Sequence, residues 1–247
     1  KQLQEKLKHS LIKEKELGEL KSHFVSTASH QFRTPMAIIH SNSELLYMIT
    51  KNSDQALKPK LEQVTERIQK EIKRMTTLMD DILVFGKIDS GSGIIVNKEA
   101  TDVLKFCATI AEEFNDIQTD NRKIDVVFFG EPKKVNIDQK LITHAVSNLI
   151  SNAFKYSTKG NPKIQLTFDK DCLKISVIDS GIGIPENEIK NLFQPFFRAK
   201  NVKDIEGTGL GLAITKEYVE LNNGKIEVES KLNEGTVFTV IVPFNET

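Results

Sequence analysis

The sequence has no excess of either charge, no apolar run of membrane-spanning length, no cysteine framework and almost no glycine before residue 90. Its 247 residues carry 34 Lys and Arg against 34 Asp and Glu, a formal net charge of zero. A nucleic-acid module usually shows a basic patch, so the balance argues against nucleic acid as a partner. It leaves open a nucleotide ligand, which needs only a local pocket. No run approaches the roughly 18 apolar residues of a spanning helix, and no secretory signal opens the chain. The sequence starts at Lys1 rather than at a methionine, and "KQLQEKLKHSLIKEKEL" already reads as mid-helix, so a further segment is expected to precede it. Cys107 and Cys172 lie in mostly apolar segments without C-x-x-C spacing, which suits core-filling thiols in a reducing compartment.

What is present changes character near residue 90. The first part is rich in Lys, Glu, Gln, Leu and Ile, the strong helix formers. The later part mixes β-branched runs with glycine-rich loops, and "KIDSGSG", Lys87 to Gly93, has the Ser and Gly of a hinge. Two long helices are expected in the first part. One runs to about Thr50 and bends at Pro35. The other starts near Pro59, a residue suited to a first helical turn, and runs to about Lys87. In the second helix Leu61, Ile68, Met75 and Ile82 recur every seven residues, with Ile72 and Met79 at the alternate spacing. That is a coiled-coil seam. Phe24, Ala28, Ile38, Leu45 and Ile49 form the matching set on the first helix. Two such helices cannot enclose a core alone, whereas two copies can, as a dimeric four-helix bundle; packing of the helices on the second half is the alternative. His30 lies about 120° around the helix from Phe24, off the seam.

The second half reads as helix "TDVLKFCATIAEEF", strand "KIDVVFF", helix "IDQKLITHAVSNLISNAFKYS", hairpin "KIQLTFD" with "LKISVID", helix "GLAITKEYVELNN" stopped by Gly224, and hairpin "KIEVES" with "GTVFTVIVPF". A sheet covered by helices on one face, an α+β layer, is the economical arrangement.

Four segments of this half carry chemistry. In "NLISNAFKYS", Asn148 and Asn152 share one helical face. Neutral oxygens there can orient a hard cation that also holds phosphate, and Lys155 offers charge to phosphate; polar capping of a helix end also fits. In "DSGIGIP", Asp179 closes a strand and Gly181 and Gly183 allow a tight turn. Such a carboxylate can accept a bond from the exocyclic amine of a base, although D-x-G-x-G is also a common turn. "GTGLGLAI" brings Gly207, Gly209 and Gly211 into a helix start, where N–H groups and the helix dipole attract an anion. "NEGTVFTV" places Gly235 and Thr236 at a strand start and by itself reads as a hairpin turn.

The order of these boxes, with the aromatic segment "LFQPFFR" between the second and third, resembles the ATP-binding domain of sensor histidine kinases. That domain lies within the ATPase family of gyrase B, the Hsp90 chaperones and MutL. "SHQFRTP", around His30, resembles the phospho-acceptor box of the kinases alone. The resemblance covers residues 20 to 247 and implies a linker helix over 1–22, a dimerisation and histidine-phosphotransfer hairpin over 23–90, and a Bergerat-type ATP-binding domain over 94–247. By this likeness His30 takes the γ-phosphoryl group. Asn152 is the magnesium ligand with Asn148 beside it. Lys155 contacts phosphate, and Tyr156 lines the pocket. Asp179 reads adenine at the turn of Gly181 and Gly183. Gly207, Thr208, Gly209, Leu210, Gly211 and Leu212 form the phosphate-side loop. Thr236 lies near adenine, Arg198 reaches toward the γ-phosphate, and residues 185–207 form a lid over ATP. Thr34, on the face of His30, is the position that orients water for dephosphorylating a partner. The implied partners are a second copy, a response regulator receiver domain and a missing upstream sensor. The implied place is the cytoplasmic portion of a protein whose remainder can be membrane-anchored.

Two residues depart from the family pattern. Gln31 stands where relatives carry a carboxylate beside the histidine; an amide can fix the imidazole tautomer but cannot serve as a base at neutral pH. Asn233 stands where glycine is common, and asparagine tolerates left-handed backbone. Gln31 is also the sole support for a rival reading, a dimeric scaffold that binds nucleotide without efficient autophosphorylation. A gyrase-like or MutL-like clamp gives no reason for a histidine box.

Overall fold

The computed structural model describes residues 32–49, 58–89, 94–118, 120–157, 159–202, 205 and 207–244. His30, Gln31, Phe24, Ala28 and the 1–22 segment lie outside the described residues. The chain divides into two compact units, Lys1–Ile82 and Leu83–Thr247.

The first unit is a helical hairpin. Helix α1 covers residues 32–49 and helix α2 covers Lys58–Asp89. Along α1, Pro35 and Ile49 are buried while Ile38, Asn42 and Leu45 are half-buried, a stripe at three- and four-residue steps. The bend expected at Pro35 depends on the residues before 32, outside the described set. Along α2, Val64, Glu71 and Leu78 are buried, and Leu61, Ile68, Met75 and Ile82 are half-buried between them. Val64, Glu71 and Leu78 thus add a buried stripe that the sequence reading left out, while Ile72 and Met79 of the expected seam remain 51% exposed in the single chain. Met36, Tyr47 and Met48 on α1 also expose large apolar surface.

The second unit is the expected layered sandwich. Strand β1 (Glu99–Asp102) leads into α3 (Val103–Ile117), followed by β2 (Asp125–Phe129), β3 (Lys134–Ile137) and α4 (Gln139–Tyr156). Strands β4 (Lys163–Phe168) and β5 (Cys172–Asp179), short helix α5 (Glu186–Ile189), α6 (Gly211–Leu221), β6 (Lys225–Lys231) and β7 (Gly235–Pro243) complete it. Five strands form one mixed sheet in the order β2-β4-β5-β7-β6, parallel only between β2 and β4. Alternation sorts its two faces. Ile164, Leu166 and Phe168 pair with Val177, Ile175 and Leu173, which pair in turn with Phe238, Val240 and Val242. All nine are buried. With Val103, Cys107 and Ile110 of α3, Ile142, Leu149 and Ile150 of α4, and Ile214 and Val219 of α6, they make up the core.

Cys107 is a core thiol as expected, and burial pushes its pKa up to about 12; Cys172 is only half-buried at a strand start. Two sequence expectations need correction. The ribbon of β1 and β3, antiparallel from Glu99–Ile137 to Asp102–Lys134, was not expected, because four-residue strands carry too little alternation to register. Consequently Ile137 ends a strand rather than opening a helix. Asp138 caps α4 instead, its Oδ1 accepting the Leu141 N–H at 3.1 Å and its Oδ2 the Asn97 N–H at 2.8 Å.

The stop of α6 also differs. The left-handed residue is Asn223, φ 59°, not Gly224. Gly224 donates its N–H to the Val219 carbonyl at 2.9 Å. A Cβ on it would lie 2.6 Å from the Ile241 carbonyl oxygen, so close approach of α6 to β7 is what requires glycine. We therefore expect Gly224→Ala to cost about 1–3 kcal/mol through overpacking, and Asn223→Gly to be neutral or slightly stabilising. Urea denaturation of both variants checks the contrast, and equal stabilities would contradict it.

Candidate active site

The site assembles where β5, the end of α4 and the start of α6 meet. Strand β5 ends at Asp179, opposite Thr236 of β7. The Asp179 carboxylate accepts the Gly181 N–H at 2.7 Å and lies by the Thr236 N–H. Burial pushes this carboxyl above the ordinary range, and the two N–H groups pull it part of the way back. Gly181 passes so near the end of α4 that a Cβ would lie 2.5 Å from the Tyr156 carbonyl oxygen. Ile182 donates its N–H to that same oxygen at 3.2 Å. The turn after Asp179 is thus sewn to the helix.

Below it, Thr236 is buried and shares its hydroxyl with Ser230 at 2.9 Å. The Ser230 hydroxyl donates to the Gly235 carbonyl and accepts the Ile184 N–H, both at 2.9 Å. Asn233 does adopt left-handed backbone, φ 62°, and donates its N–H to the Ile182 carbonyl at 2.8 Å. The residue that replaces glycine here therefore keeps the geometry, as its side-chain chemistry allows.

The two asparagines of α4 divide their duties. Asn148 donates through Nδ2 to Thr215 Oγ1 at 2.8 Å, and a Cβ on Gly211 would lie 2.6 Å from its Oδ1. Asn148 thereby fastens α4 to the start of α6. Asn152, one turn on along the same face, is half-exposed. In the last turn, Lys155 Nζ lies 5.1 Å from the centroid of the Tyr156 ring. A Cβ on Gly207 would lie 3.0 Å from the same Nζ and 3.8 Å from the Tyr156 hydroxyl, so the glycine loop reaches the end of the asparagine helix. Burial pushes the Tyr156 phenol up, and the Arg198 charge nearby pulls it back.

The glycine loop leads into α6, whose first N–H groups have no side-chain cap; Leu210, fully buried, occupies the cap position. Those groups and the positive end of the helix dipole favour an anion. Thr208 Oγ1 accepts the Leu210 N–H at 3.1 Å, and Leu212 is half-buried. Gly209 is left-handed, φ 75°, and accepts the Phe196 N–H at 2.9 Å. Phe196 is itself left-handed, φ 62°, a conformation that costs on the order of 1–3 kcal/mol for a bulky residue. The expected lid is tied down at several points. Glu188, buried, accepts the Lys200 N–H through Oε2 at 2.9 Å. Asn201 donates to the carbonyl of left-handed Gly183 at 2.8 Å. Arg198 donates to the Val202 carbonyl at 2.6 Å and to that of Ile205.

The expected residues of the second unit are therefore gathered into one region of that unit. Thr34 lies exposed on α1 of the first unit. Ser230, Thr215, Glu188 and Asn201 escaped sequence reasoning, since only the fold brings them to the site. Among the described residues no group of three His, Cys, Asp or Glu side chains could hold a metal alone, and no helix is long and apolar enough to cross a membrane.

Comparison with known proteins agrees with this geometry. Residues 20–91 match the His Kinase A (phospho-acceptor) domain, and residues 137–246 match the histidine kinase-, DNA gyrase B- and HSP90-like ATPase. Sensor histidine kinase WalK of Bacillus subtilis is 32% identical over 246 residues, covering 96% of this chain and 39% of that protein. A WalK sensor protein kinase of Staphylococcus aureus is 32% identical over 244 residues, covering 95% of this chain and 56% of that one. The chain thus spans between two fifths and just over half of these relatives. Among solved structures, Acinetobacter baumannii histidine kinase AdeS shares the fold, with a TM-score of 0.69 at 21% identity over 88% of this chain and 98% of its own. Histidine kinase ThkA, solved with response regulator protein TrrA, has a TM-score of 0.68 at 24% identity over 90% of this chain and 61% of its own. With a phospho-acceptor hairpin followed by an ATPase domain of this type, the chain belongs to the sensor histidine kinase family.

Proposed function

We propose that the second unit binds ATP and that His30 takes its γ-phosphoryl group, which then passes to an aspartate of a response regulator. The observation that carries this reading is the convergence of Asp179, Asn152, Lys155 and the glycine loop in one unit of a chain that also carries a phospho-acceptor hairpin. Asp179 accepts the exocyclic amine of adenine. Lys155 and the N–H groups at the start of α6 meet the phosphates. A ring nitrogen of neutral His30 attacks the γ-phosphorus; an N–P bond forms, the bond to the β,γ-bridging oxygen breaks, ADP leaves, and the imidazole proton passes to solvent. Neutral imidazole is well populated near pH 7, since its pKa is about 6.5. Positioning and charge neutralisation carry most of such a transfer.

Magnesium fits this donor set, because it is usually held by one or two protein oxygens plus phosphates and water rather than by an all-protein cage. Asn152 would supply the protein oxygen, and the ion would neutralise phosphate charge. The exposed apolar side chains of the hairpin, Ile72 and Met79 among them, support a homodimer closed as a four-helix bundle. The response regulator is proposed from the family and from the partner named with ThkA. An upstream sensor is proposed from the length of the WalK relatives, and a cytoplasmic location of this portion from the ATP that the proposed reaction consumes.

Incubation with γ-labelled ATP tests the proposal. The parent should acquire label that survives base and is lost in acid, the behaviour of phosphohistidine. His30→Ala should bind ATP and acquire none, and Asp179→Asn should lose both binding and label. A His30→Ala protein labelled like the parent would overturn the reading; a parent that binds ATP without labelling would favour the scaffold reading. Gln31→Glu should raise the autophosphorylation rate severalfold, since a carboxylate can take the proton that otherwise goes to solvent; an unchanged or lower rate in single-turnover kinetics would count against that role for Gln31. We also propose that Thr34 positions water against a phospho-aspartate. Thr34→Ala should slow dephosphorylation of the purified phosphorylated partner by about tenfold or more while leaving autophosphorylation near the parent rate, and equal dephosphorylation would refute it.

A further inference from the structure

Arg122 sits in the connection between α3 and β2 and belongs to none of the sequence boxes named above. Only 15% of its side chain is exposed. Its Nη1 donates to the Ser157 carbonyl at 2.6 Å and its Nη2 to the Phe154 carbonyl at 3.1 Å. Both acceptors belong to the end of α4, where the last carbonyls have no partner within the helix. The Asp120 carboxylate accepts from Arg122 Nε at 2.7 Å and from the Arg122 backbone N–H at 3.2 Å. The guanidinium carbon lies 5.0 Å from the centroid of the Phe154 ring, which stacks in turn on Phe114 at 6.4 Å. The planar fork is thus aimed by Asp120 and spread across the end of one helix. A cation at this place also meets the negative end of the helix dipole.

The turn so held is the one that meets both loops of the proposed nucleotide site. Lys155 and Tyr156 lie between the two carbonyls that Arg122 binds. The Tyr156 carbonyl accepts the Ile182 N–H of the base-side turn, and Lys155 Nζ faces Gly207 of the phosphate-side loop. Helix ends fray when their orphan carbonyls lose partners, and fraying here would loosen Lys155, Tyr156 and the seam to Asp179 together. A guanidinium is costly to bury unless its donors are matched, and a purely apolar plug would have served packing alone.

Resting on the ATP reading above, we propose that Arg122 is a positioning residue for nucleotide binding: it clamps the last turn of α4 so that Lys155, Tyr156 and the Asp179 turn stand ready before ATP arrives. The clamp acts on affinity rather than on the chemical step, because Arg122 touches none of the reacting groups.

The test uses the full chain, with ADP and magnesium titrated calorimetrically well below the melting transition and far-UV circular dichroism confirming the fold. Arg122→Gln should raise the ADP Kd and the KM for ATP about three- to tenfold, as expected for losing part of a charge-assisted hydrogen-bond set. Autophosphorylation kcat at saturating ATP should stay within about twofold of the parent, since uniform binding alone is lost. Phe114→Leu disturbs the ring stack behind the same turn but leaves every Arg122 donor in place. It should lower Tm while keeping Kd within about twofold, because its cost is one of packing. If Arg122→Gln does not fold, Arg122→Lys replaces it; one ammonium cannot span both carbonyls, so a smaller but clear rise in Kd is expected. An unchanged Kd in the folded Arg122 variant, or an equal rise in Phe114→Leu, would overturn the proposal and leave the ATP reading standing. A parent that binds no nucleotide would overturn both.

Discussion

Strand β5 is the constraint on which the rest of the second unit depends. It is the middle strand of five and is paired on both sides, with β4 from Phe168–Leu173 to Lys163–Ile178 and with β7 from Pro243–Cys172 to Thr236–Asp179. Leu173, Ile175 and Val177 point from it into the core, each buried, and each side chain so removed from water contributes about 1.5–3 kcal/mol. A strand held on two edges and one face cannot slip by one residue without turning that face outward. Asp179 ends this strand, so its carboxylate is placed by the central strand of the sheet. The proposed base-reading role would benefit from that, because a hydrogen bond discriminates only when its acceptor cannot move to suit the wrong donor.

The other groups are placed relative to Asp179 by close backbone contacts. Gly181 lets the strand end touch the Tyr156 carbonyl, and Gly211 lets α6 press on Asn148. Each contact would be blocked by a Cβ. The glycines therefore do more than permit turns: they set how near α4, α6 and β5 can lie. Buried polar groups complete the frame. Asp138 receives the N–H groups of Leu141 and Asn97 and donates its own N–H to Asn222 at 2.7 Å. Asp138 thus joins Asn97 to the start of α4 through its carboxylate, and the end of α6 to both through its backbone N–H. Arg122 plays the corresponding part at the far end of α4.

Much of this was legible beforehand, and the parts that were not share a cause. The long helices and the two hairpins showed in periodicity because each repeats its own period several times. The short β1–β3 ribbon did not, since four residues hold two repeats at most and its partner lies more than thirty positions away. The seam of α2 was read through Leu61, Ile68, Met75 and Ile82, with Ile72 and Met79 at the alternate spacing, because all six are apolar. The single chain also buries Glu71 together with Val64 and Leu78, and a carboxylate in a buried stripe has no apolar signature. Gly224 was seen as a helix stop, whereas the left-handed turn falls one residue earlier on Asn223; composition reveals a breaker without revealing which backbone angle it serves.

By itself the sequence determined the two-part organisation, the boxes that carry the chemistry and their order, because spacing along a helix or at a strand end is a local property. Asn152 and Asn148 share a face in any helix, and Asp179 ends its strand whatever that strand pairs with. The tertiary structure alone decided how those groups divide their labour. It turned Asn148 toward Thr215 and brought Arg122 across thirty-five positions to the Ser157 carbonyl. These are pairings between polar groups distant in sequence. No period encodes them, and they arise only when the packing of the core carries two elements to within hydrogen-bond reach.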